Sequence, residues 1–501
     1  MSGPRVGSAP PLPRGLLRLA IVVIAAYSAL ALGLGYWQGI RAQALTEDPG
    51  NPIVAAVRDA PRGRILDARG TVLAQSVTRG GVQVRSYPQP LAAPVVGYWS
   101  PTLGAAGLER TYDAQLSGFV GITPVDRLLR KFRPDPTAAQ DVVTSLDVRL
   151  QADAARLLGG RRGAIVAIEP STGRVLAMVS SPSYDPNKLV DPATGAAYLA
   201  SLSAGDASAS PLLNRATQGR YTPGSVFKIV TAIAGLGSGK ITPATTFPDQ
   251  PAEEKTGFVV QGYTVVDGHH DFTGHTALDL TEATAVSCNI YYAHAGLAIG
   301  AADLRAWARQ LGFEASIPFD LPVAPSQVTA GTGPLNGFVD EVELANAAYG
   351  QGTTFVTPLQ MALVAATVAD GGLLMRPTLV DALRASADGS LIEQRQPQVW
   401  RTVLPASEAT AVRQAMQAAV ESPWGKPFAG SAKIPGVPTA GKTGTAQLGG
   451  SGEPHAWFIG FAPANAPRIA VAVLLEQGGH GGQVAAPIGG QLMGDWLKLA
   501  P

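Results

Sequence analysis

Residues 163–182 read GAIVAIEPSTGRVLAMVSSP, two apolar runs separated by a short polar turn. The runs at 164–168 and 174–179 have the length of strands, and EPSTG carries the proline and glycine typical of a tight turn. This stretch therefore predicts a β-hairpin. Three more strand-like segments follow much later, TAGKTGTAQ, HAWFIGFAP and PRIAVAVLLEQ, and their short connections favour antiparallel neighbours.

The segment between this hairpin and the late strands has helical periodicity. Helices are predicted over 225–236, 278–296, 301–311, 358–369 and 407–420, and a last helix over 485–499. Just before the hairpin, a strand near Asp141 leads into a helix that starts near Asp147, an N-cap type of residue. Two outer strands, a helical middle and three returning strands predict one α+β domain.

The N-terminal region predicts a membrane anchor. Residues 19–37, LAIVVIAAYSALALGLGYW, carry no charge and would form about 28 Å of helix, close to the thickness of a bilayer core. Three arginines precede the run and an aromatic pair closes it: Arg5, Arg14, Arg18 and Tyr36-Trp37. We expect a cytoplasmic tail over 1–18, a transmembrane helix over 19–40 and an extracytoplasmic remainder. A cleaved signal peptide is the alternative, because Ala42-Gln43-Ala44 resembles a cleavage site.

Bulk properties narrow the classes of function. A chain of 501 residues favours two domains, and residues 48–137 form a proline- and glycine-rich region without an ionisable cluster. We predict a non-catalytic module over 45–140 and a catalytic domain over 141–501. A net charge of +1 gives no argument for a nucleic-acid partner. Cys288 is the sole cysteine, which excludes an intrachain disulfide and a zinc site of several thiolates.

The first chemical signal is Ser225 followed by Lys228 in RYTPGSVFKIV. A serine hydroxyl is a poor nucleophile unless a neighbour takes its proton, and a desolvated lysine can be that base. Residues three apart share one helix face, so the two side chains meet if a helix begins at Ser225. Val226 and Phe227 would then turn into the core. The pattern alone is weak, because Ser-x-x-Lys also arises by chance.

Two further motifs lie downstream. Ser287-Cys288-Asn289 can present a hydroxyl and an amide to one cleft, although small polar residues packed near a helix start are an equally ordinary interpretation. In GKTGT, residues 441–445, strand alternation puts Thr443 and Thr445 on one face and Lys442 on the other or at the rim. Gly444 would let a ligand backbone lie close. A nucleotide P-loop fits GVPTAGKT by spacing, but the glycine-rich continuation is not a helix.

In this order, Ser-x-x-Lys, Ser-x-Asn and Lys-Thr-Gly-Thr resemble the motifs of the penicillin-recognising serine acyltransferases. RGRILDARGTVLA at 62–74, GLERTYDAQLSG at 107–118 and YGQGTTFVTPLQMA at 349–362 are similar to stretches of class B penicillin-binding proteins, in particular the actinobacterial type. The resemblance spans the chain from the anchor to the C-terminus. It implies a transpeptidase domain with an antiparallel five-stranded sheet flanked by helices, preceded by a small β-rich pedestal.

The resemblance also implies a role for each motif residue. Ser225 would attack the penultimate D-Ala carbonyl of a peptidoglycan stem peptide, with Lys228 as base. Ser287 would relay the proton to the leaving amine, and Asn289 would hold Lys228 and the substrate amide. The terminal carboxylate would bind the strand motif, Lys442, Thr443 and Thr445, with Lys442 also crowding Lys228. Backbone N–H groups of Ser225 and Thr445 would form the oxyanion hole.

The expected partners follow from the same resemblance. They are stem peptides, β-lactams, the plasma membrane, and a polytopic lipid II polymerase with other cell-wall synthesis proteins; no metal or cofactor is required. A D,D-carboxypeptidase or a β-lactamase would use the same site with water as acceptor. A non-enzymatic cell-wall scaffold that keeps the fold is the alternative of a different class.

Three smaller features have alternative interpretations. DGHHDFTGH, residues 267–275, could bind a metal, although such a glycine-containing cluster is more often a solvated loop. Cys288 could be a reactive thiol, but a buried residue that fills space in a helix is the more common role. His455 could line the cleft floor or be a packed or capping residue.

Overall fold

The computed structural model describes residues 14–37, 61–118, 139–267, 277–449 and 452–499. The chain divides into two compact units, one formed by residues 1–60 with 121–134 and the other by 61–120 with 135–501. In the first unit, Arg14–Gly35 forms a helix of 22 residues, long and apolar enough to cross a membrane. None of its residues is buried, and the predicted anchor over 19–40 overlaps this helix from Leu19 to Gly35; residues 38–40 lie outside the described residues.

The core of the second unit is a five-stranded antiparallel sheet, here called the central sheet. Its strands, in spatial order, are Ala440–Ala446, His455–Ala462, Ile469–Leu475, Gly163–Ile168 and Val175–Ser181. The predicted hairpin and the three late strands therefore form one sheet, as expected. Two separate apolar clusters cover its two faces, so the central strands Ile469–Leu475 and Gly163–Ile168 are buried along their whole length.

Helices pack on both faces of the central sheet. Val148–Leu158 and Gly481–Leu499 contribute to one cluster, and Pro358–Ala369 lies in the other. The predicted N-cap is confirmed, because the Asp147 side chain accepts a hydrogen bond from the Arg149 backbone N–H. The other helices of the helical middle are Lys228–Gly237, Leu280–Val286, Asn289–Ile299, Ala301–Gln310, Glu341–Ala348 and Ala406–Glu421.

Two helix predictions are wrong in detail. The helix predicted over 278–296 is two helices that meet at Ser287, whose left-handed backbone (φ 63°) ends the first of them. The α-helix predicted from Ser225 begins only at Lys228, because Gly224–Phe227 is a 3₁₀ turn. Such turns are common at helix starts.

A second, six-stranded sheet combines segments that are far apart in sequence. Its order is Leu391–Gln394, Val380–Ala385, Gln140–Thr144, Ile65–Leu66, Val72–Arg79 and Val82–Ser86. The predicted boundary between residues 140 and 141 lies inside one of these strands, so the division into a pedestal and a catalytic domain stays a prediction.

Short elements complete the second unit. The helices are Ala93–Val96, Gly107–Thr111, Asp113–Leu116, Pro186–Leu189, Gly195–Ser203, Gln250–Thr256 and Lys426–Ala429, with 3₁₀ turns at Pro90–Ala92, Ala207–Ala209 and Gly430–Ala432. The paired strands are Trp99–Ser100 with Gly104–Ala105, Phe258–Val260 with Tyr263–Val265, and Leu373–Met375 with Val399–Thr402.

Candidate active site

The 3₁₀ turn Gly224–Phe227, here called the nucleophile turn, carries Ser225 against the edge of the central sheet. Val226 and Phe227 are fully buried, as predicted, whereas Ser225 is half-buried. Gly224 has φ 57°, and a Cβ there would lie 3.1 Å from the Cα of Ala446 and from the Thr445 carbonyl. A glycine is therefore required for the turn to approach the strand.

Lys228 follows the turn and is completely buried. Its Nζ donates to the Ser287 carbonyl at 2.5 Å, to Asn289 Oδ1 at 2.8 Å and to Ser287 Oγ at 3.3 Å. Burial lowers the pKa of Lys228 to about 8, and the negative charge of Asp267 acts in the opposite direction. Within the described residues, no hydrogen bond joins Lys228 to the Ser225 hydroxyl, so the two groups share a turn without being bonded.

The break between two helices explains why Ser287 and Asn289 reach Lys228. A continuous helix would use the Ser287 carbonyl internally, whereas the left-handed residue frees both its carbonyl and its hydroxyl for the ammonium. Cys288 begins the second helix, and its Sγ accepts from the Tyr291 backbone N–H at 3.2 Å. Burial raises the pKa of the Cys288 thiol, which fits a packed residue and not a reactive one.

Asp267 is a residue of the site that the motifs did not reveal. Its Oδ2 accepts from the backbone N–H of Asn289 and, at 3.3 Å, from that of Ile290. The carboxylate thus caps the helix that carries Asn289 and places a negative charge near Lys228.

Asp267 also belongs to the candidate metal site of the sequence. The other candidate metal ligands, His269, His270, Asp271 and His275, lie outside the described residues. Within those residues, no group of three histidine, cysteine, aspartate or glutamate side chains could hold a metal.

Lys442 enters the same cluster from the edge strand Ala440–Ala446. It is 1% exposed, and its Nζ donates to Ser287 Oγ at 2.8 Å and to the Thr443 carbonyl at 3.0 Å. Burial and the positive charge of Lys228 hold the pKa of Lys442 well below its usual range. Ser287 Oγ thus lies between two lysine amines.

The rest of the strand motif faces the nucleophile turn and the last helix. A Cβ at Gly444 would lie 2.7 Å from the Pro223 carbonyl, so this glycine accommodates the nucleophile turn, which differs from the predicted approach of a ligand. Thr445 Oγ1 accepts from the backbone N–H of Gly481 at 3.3 Å. Thr443 is largely buried.

The structure also decides the P-loop alternative. Because Lys442 and Thr443 lie in a strand and do not start a helix, a nucleotide P-loop is excluded.

The structure therefore gathers Lys228, Ser287, Asn289 and Lys442 into one hydrogen-bonded cluster beside the nucleophile turn. Thr443, Gly444 and Thr445 lie on the edge strand next to it. An edge strand leaves alternate N–H and C=O groups unpaired, and these are available to an extended peptide. The arrangement combines a hydroxyl, a buried amine of lowered pKa and the edge strand of a sheet, which suits acyl transfer.

Comparison with known proteins gives consistent matches. Residues 163–494 match the family described as the penicillin binding protein transpeptidase domain, and residues 62–142 match the penicillin binding protein A dimerisation domain. The peptidoglycan D,D-transpeptidase PbpA of Mycolicibacterium smegmatis is 36% identical over 492 residues, which cover 95% of this chain and 97% of the relative. The PbpA of Mycobacterium tuberculosis is 36% identical over 495 residues, with the same coverage of both chains.

Solved structures show the same likeness. The penicillin G acyl-enzyme complex of penicillin-binding protein A from M. tuberculosis superposes with a TM-score of 0.74 at 35% identity, and the match covers 87% of this chain and 99% of that one. The imipenem acyl-enzyme complex of the same protein also gives a TM-score of 0.74 and 35% identity, covering 87% and 98% of the two chains.

Proposed function

This chain belongs to the penicillin-binding protein transpeptidases, and we propose that Ser225 is its nucleophile and Lys228 the base that activates it. The protein is a serine-type peptidoglycan D,D-transpeptidase, and it binds β-lactams covalently. The observation that carries the residue assignment is the surroundings of Lys228. This fully buried amine has neutral oxygens as its hydrogen-bond acceptors, and its pKa is lowered to about 8.

The protonation state of Lys228 decides how it acts. A neutral amine has two N–H bonds, and the shortest contacts supply two acceptors, the Ser287 carbonyl and Asn289 Oδ1. With both N–H groups engaged, the lone pair remains for the Ser225 proton. Asn289 and the Ser287 backbone therefore orient the base, and the protein reacts in the form in which the Lys228 amine has lost its proton.

The proposed acylation proceeds as follows. Ser225 Oγ bonds to the carbonyl carbon of the penultimate D-Ala, and its proton passes to Lys228 Nζ. The C–N bond to the terminal D-Ala breaks as Ser287 Oγ gives its proton to the leaving nitrogen and takes the proton held by Lys228 Nζ, so free D-Ala departs and the lysine is neutral again. Ser287 Oγ suits this relay because it lies within hydrogen-bond range of both Lys228 and Lys442. The amine of a second stem peptide then attacks the ester and loses a proton to Lys228 Nζ, the C–O bond to Ser225 breaks, and Ser225 Oγ takes that proton back as the cross-link forms.

The edge strand supplies the proposed binding site for the donor peptide. Lys442, Thr443 and Thr445 bind the terminal carboxylate, and the N–H groups of Ser225 and Thr445 stabilise the developing oxyanion. Support comes from the close packing between strand and turn, where Gly444 lies against the Pro223 carbonyl. This packing brings the strand motif beside the nucleophile. A β-lactam that mimics the D-Ala-D-Ala end would occupy the same place.

Mass spectrometry of the intact protein after benzylpenicillin tests the assignment. We expect one adduct, located on the tryptic peptide that contains Ser225 and absent from Ser225→Ala. Ser238→Ala is the matched control, because Ser238 follows the same helix and its hydroxyl bonds only the Gly235 carbonyl. An adduct that persists in Ser225→Ala refutes the assignment. A second assay supplies a donor peptide and an amine acceptor and compares the amounts of the two products. An excess of cross-linked product over hydrolysed acid indicates transfer, and the reverse indicates hydrolysis.

We also propose that the N-terminus is cytoplasmic and the catalytic domain extracytoplasmic. The helix Arg14–Gly35 is a single-pass anchor candidate, and the arginines that precede the apolar run with the aromatic pair after it favour this orientation. Protease added to intact protoplasts should remove the catalytic domain and spare an N-terminal tag. Protection of the catalytic domain under these conditions contradicts the orientation.

The polytopic lipid II polymerase is proposed as a membrane partner, reached through the anchor and the predicted pedestal at 45–140. The support is the class B resemblance together with the match of residues 62–142 to a penicillin-binding dimerisation domain. Site-specific photo-crosslinking from the anchor in membranes should give a heterodimer with the polymerase. If every anchor position crosslinks only to proteins other than the polymerase, the proposed partnership is wrong.

A further inference from the structure

A buried charged network lies next to the segment that leads into the nucleophile turn. Glu476 follows the central strand Ile469–Leu475, and its Oε1 accepts from Arg215 Nε at 2.7 Å and from the Tyr221 hydroxyl at 2.8 Å. Its Oε2 pairs with Arg162 at 2.7 Å. The two bonds to Oε1 join residues more than 250 positions apart in sequence.

Arg215 is fully buried, and its other N–H groups are also used. They donate to backbone carbonyls of the preceding loop, to Ser208 at 2.6 Å and to Ser210 at 3.1 Å. A buried guanidinium without a carboxylate is strongly destabilising, so Glu476 has a fixed place opposite Arg215. The carboxylate is therefore a rigid acceptor for Tyr221.

Tyr221 transmits this rigidity toward Ser225, four residues later. Its backbone N–H and C=O both pair with Val356, at 2.9 and 2.8 Å. Its ring contacts His455 edge-on, with 5.4 Å between centroids, and His455 Nδ1 in turn accepts from the Gln477 backbone N–H. His455 is thus a packed residue. Burial and the nearby Glu476 raise the pKa of the Tyr221 hydroxyl, which therefore stays protonated and donates.

Two of the three residues after Tyr221 are fixed from other directions. The Thr222 carbonyl accepts from Trp457 Nε1 at 3.0 Å, and the Gly224 N–H donates to the Gly350 carbonyl at 2.9 Å. The hydrogen bond from the Tyr221 hydroxyl to Glu476 connects this segment to the buried ion pair of Glu476 and Arg215. It is also the bond that a single conservative substitution removes.

We infer that Tyr221, Glu476 and Arg215 form a positioning triad that fixes the approach of the Ser225 hydroxyl to the acyl carbonyl. The inference rests on Ser225 being the nucleophile. In the part of the chain that the structure describes, no hydrogen bond or ion pair joins these three side chains to Lys228 or Lys442, so the triad acts on the rate of bond formation and not on the initial binding of ligand. Displacements of about 1 Å at a nucleophile can cost about a hundredfold in rate, so loss of one tether is measurable.

The chain contains a matched control for this triad. Tyr112 donates to Asp320 Oδ1 at 2.5 Å, and Asp320 pairs with Arg395 at 2.7 Å. Tyr112 is buried like Tyr221, and its hydroxyl has the same kind of partner. This second set of tyrosine, carboxylate and arginine lies beside Leu379, whose backbone N–H donates to Asp320 Oδ2 at 2.7 Å, and no hydrogen bond in the described part of the chain joins it to the nucleophile turn. Tyr112→Phe therefore measures the loss of an equivalent hydrogen bond elsewhere.

The test is stopped-flow acylation by a chromogenic or fluorescent β-lactam, performed on the full-length protein in detergent, with Tm measured for each variant. We expect Tyr221→Phe to lower the acylation rate constant about tenfold and to leave the pre-covalent dissociation constant within about twofold. Tyr112→Phe should shift Tm by a similar amount and leave acylation within about twofold.

Three results overturn the triad. The first is acylation of Tyr221→Phe at the wild-type rate, and the second is weaker binding of the β-lactam by Tyr221→Phe with an unchanged acylation rate constant. The third is that Tyr112→Phe loses as much of the acylation rate constant as Tyr221→Phe does. Failure of the triad is distinct from failure of the nucleophile assignment. If the wild-type adduct is not on Ser225, the assignment itself is wrong. If the adduct is on Ser225 and Tyr221→Phe acylates normally, only the triad is wrong.

Discussion

Two of the groups of buried cations in the second unit are compensated in opposite ways. On and beside the strand Val82–Ser86, Arg85 and Arg62 bind the Glu109 carboxylate at 2.6 and 3.2 Å, and Glu109 is completely buried. In the active site, Lys228 and Lys442 donate to oxygens of Ser287, Asn289 and Thr443. Neither lysine makes an ion pair with any carboxylate in the residues that the structure describes.

The difference separates a structural use of charge from a chemical one. A guanidinium stays protonated, so burial requires a carboxylate, and the result is a fixed crosslink between segments. A lysine amine can lose its proton, and burial without a bound carboxylate lowers its pKa instead of holding its charge. The comparison therefore predicts that substitutions at one group change stability and that substitutions at the other change chemistry.

The largest effect is expected at Lys228. Lys228→Met keeps most of the side-chain length but removes the amine, so acylation should fall about a thousandfold, the range of a lost general base. Because this buried amine is paired with no carboxylate in the described residues, its removal should not lower Tm. Stopped-flow acylation and thermal unfolding measure the two quantities. If Lys228→Met is acylated at the wild-type rate, or if its Tm falls sharply, the proposed contrast is wrong.

Lys228→Arg is the companion variant, because it keeps a positive charge that does not leave at physiological pH. It should be as inactive as Lys228→Met. Activity in Lys228→Arg would mean that position 228 supplies a charge and not a base.

Glu109→Gln should have the next largest effect, and it should act on stability. It leaves the buried Arg85 guanidinium without a carboxylate and Arg62 with only the exposed Asp113, and an uncompensated buried charge typically costs about 3–5 kcal/mol. Denaturant unfolding measures this loss. Acylation of the protein that remains folded should stay within about twofold of wild type, since Glu109 contacts no active-site residue.

Glu393→Gln provides the control for that measurement, because its side chain is 53% exposed and lies 3.6 Å from Arg395. It should leave the free energy of unfolding almost unchanged. If Glu109→Gln and Glu393→Gln lower the free energy of unfolding by the same amount, the burial of Arg62 and Arg85 is not the cause of the loss in Glu109→Gln.

The pH dependence of acylation sharpens the comparison further. The base must be neutral, and the pKa of Lys228 is lowered to about 8, so acylation should rise with pH through a midpoint of about 8. Lys442→Gln should leave this midpoint in place, because burial is the main cause that lowers the pKa of Lys228, and it is the charge of Lys228 that lowers the pKa of Lys442. Acylation should still fall, since the amine that contacts Ser287 Oγ is lost. A midpoint that moves to higher pH would mean that a charge on Lys442 acts on the base.

Sequence patterns predicted much of the fold because its determinants are local. The hairpin at 163–182 and the late strands alternate with turn residues, and Asp147 caps its helix through its own neighbours. The three motifs likewise identified Lys228, Ser287, Asn289 and Lys442, which the structure brings together.

The remainder depends on contacts that leave no local signal. Ser287 breaks a helix with a left-handed backbone although it is not a glycine, and a cysteine thiol caps the next helix. The residues AVSCNIYY therefore look like one continuous helix. Asp267 and Glu476 act through space on residues 22 and 261 positions away, and such pairings cannot be inferred from a single sequence.

The smallest effect is expected at Asp113, which also binds Arg62, at 2.8 Å, but has a side chain that is 54% exposed. Exposed ion pairs contribute about 0–1 kcal/mol, because water and salt screen them. Glu109 still compensates the guanidinium in Asp113→Asn, so the free energy of unfolding should fall by less than about 1 kcal/mol. Measured by denaturant at low and at high salt, the loss should shrink as salt rises. A loss as large as that of Glu109→Gln would mean that both carboxylates are needed and that burial does not set the stability of this cluster.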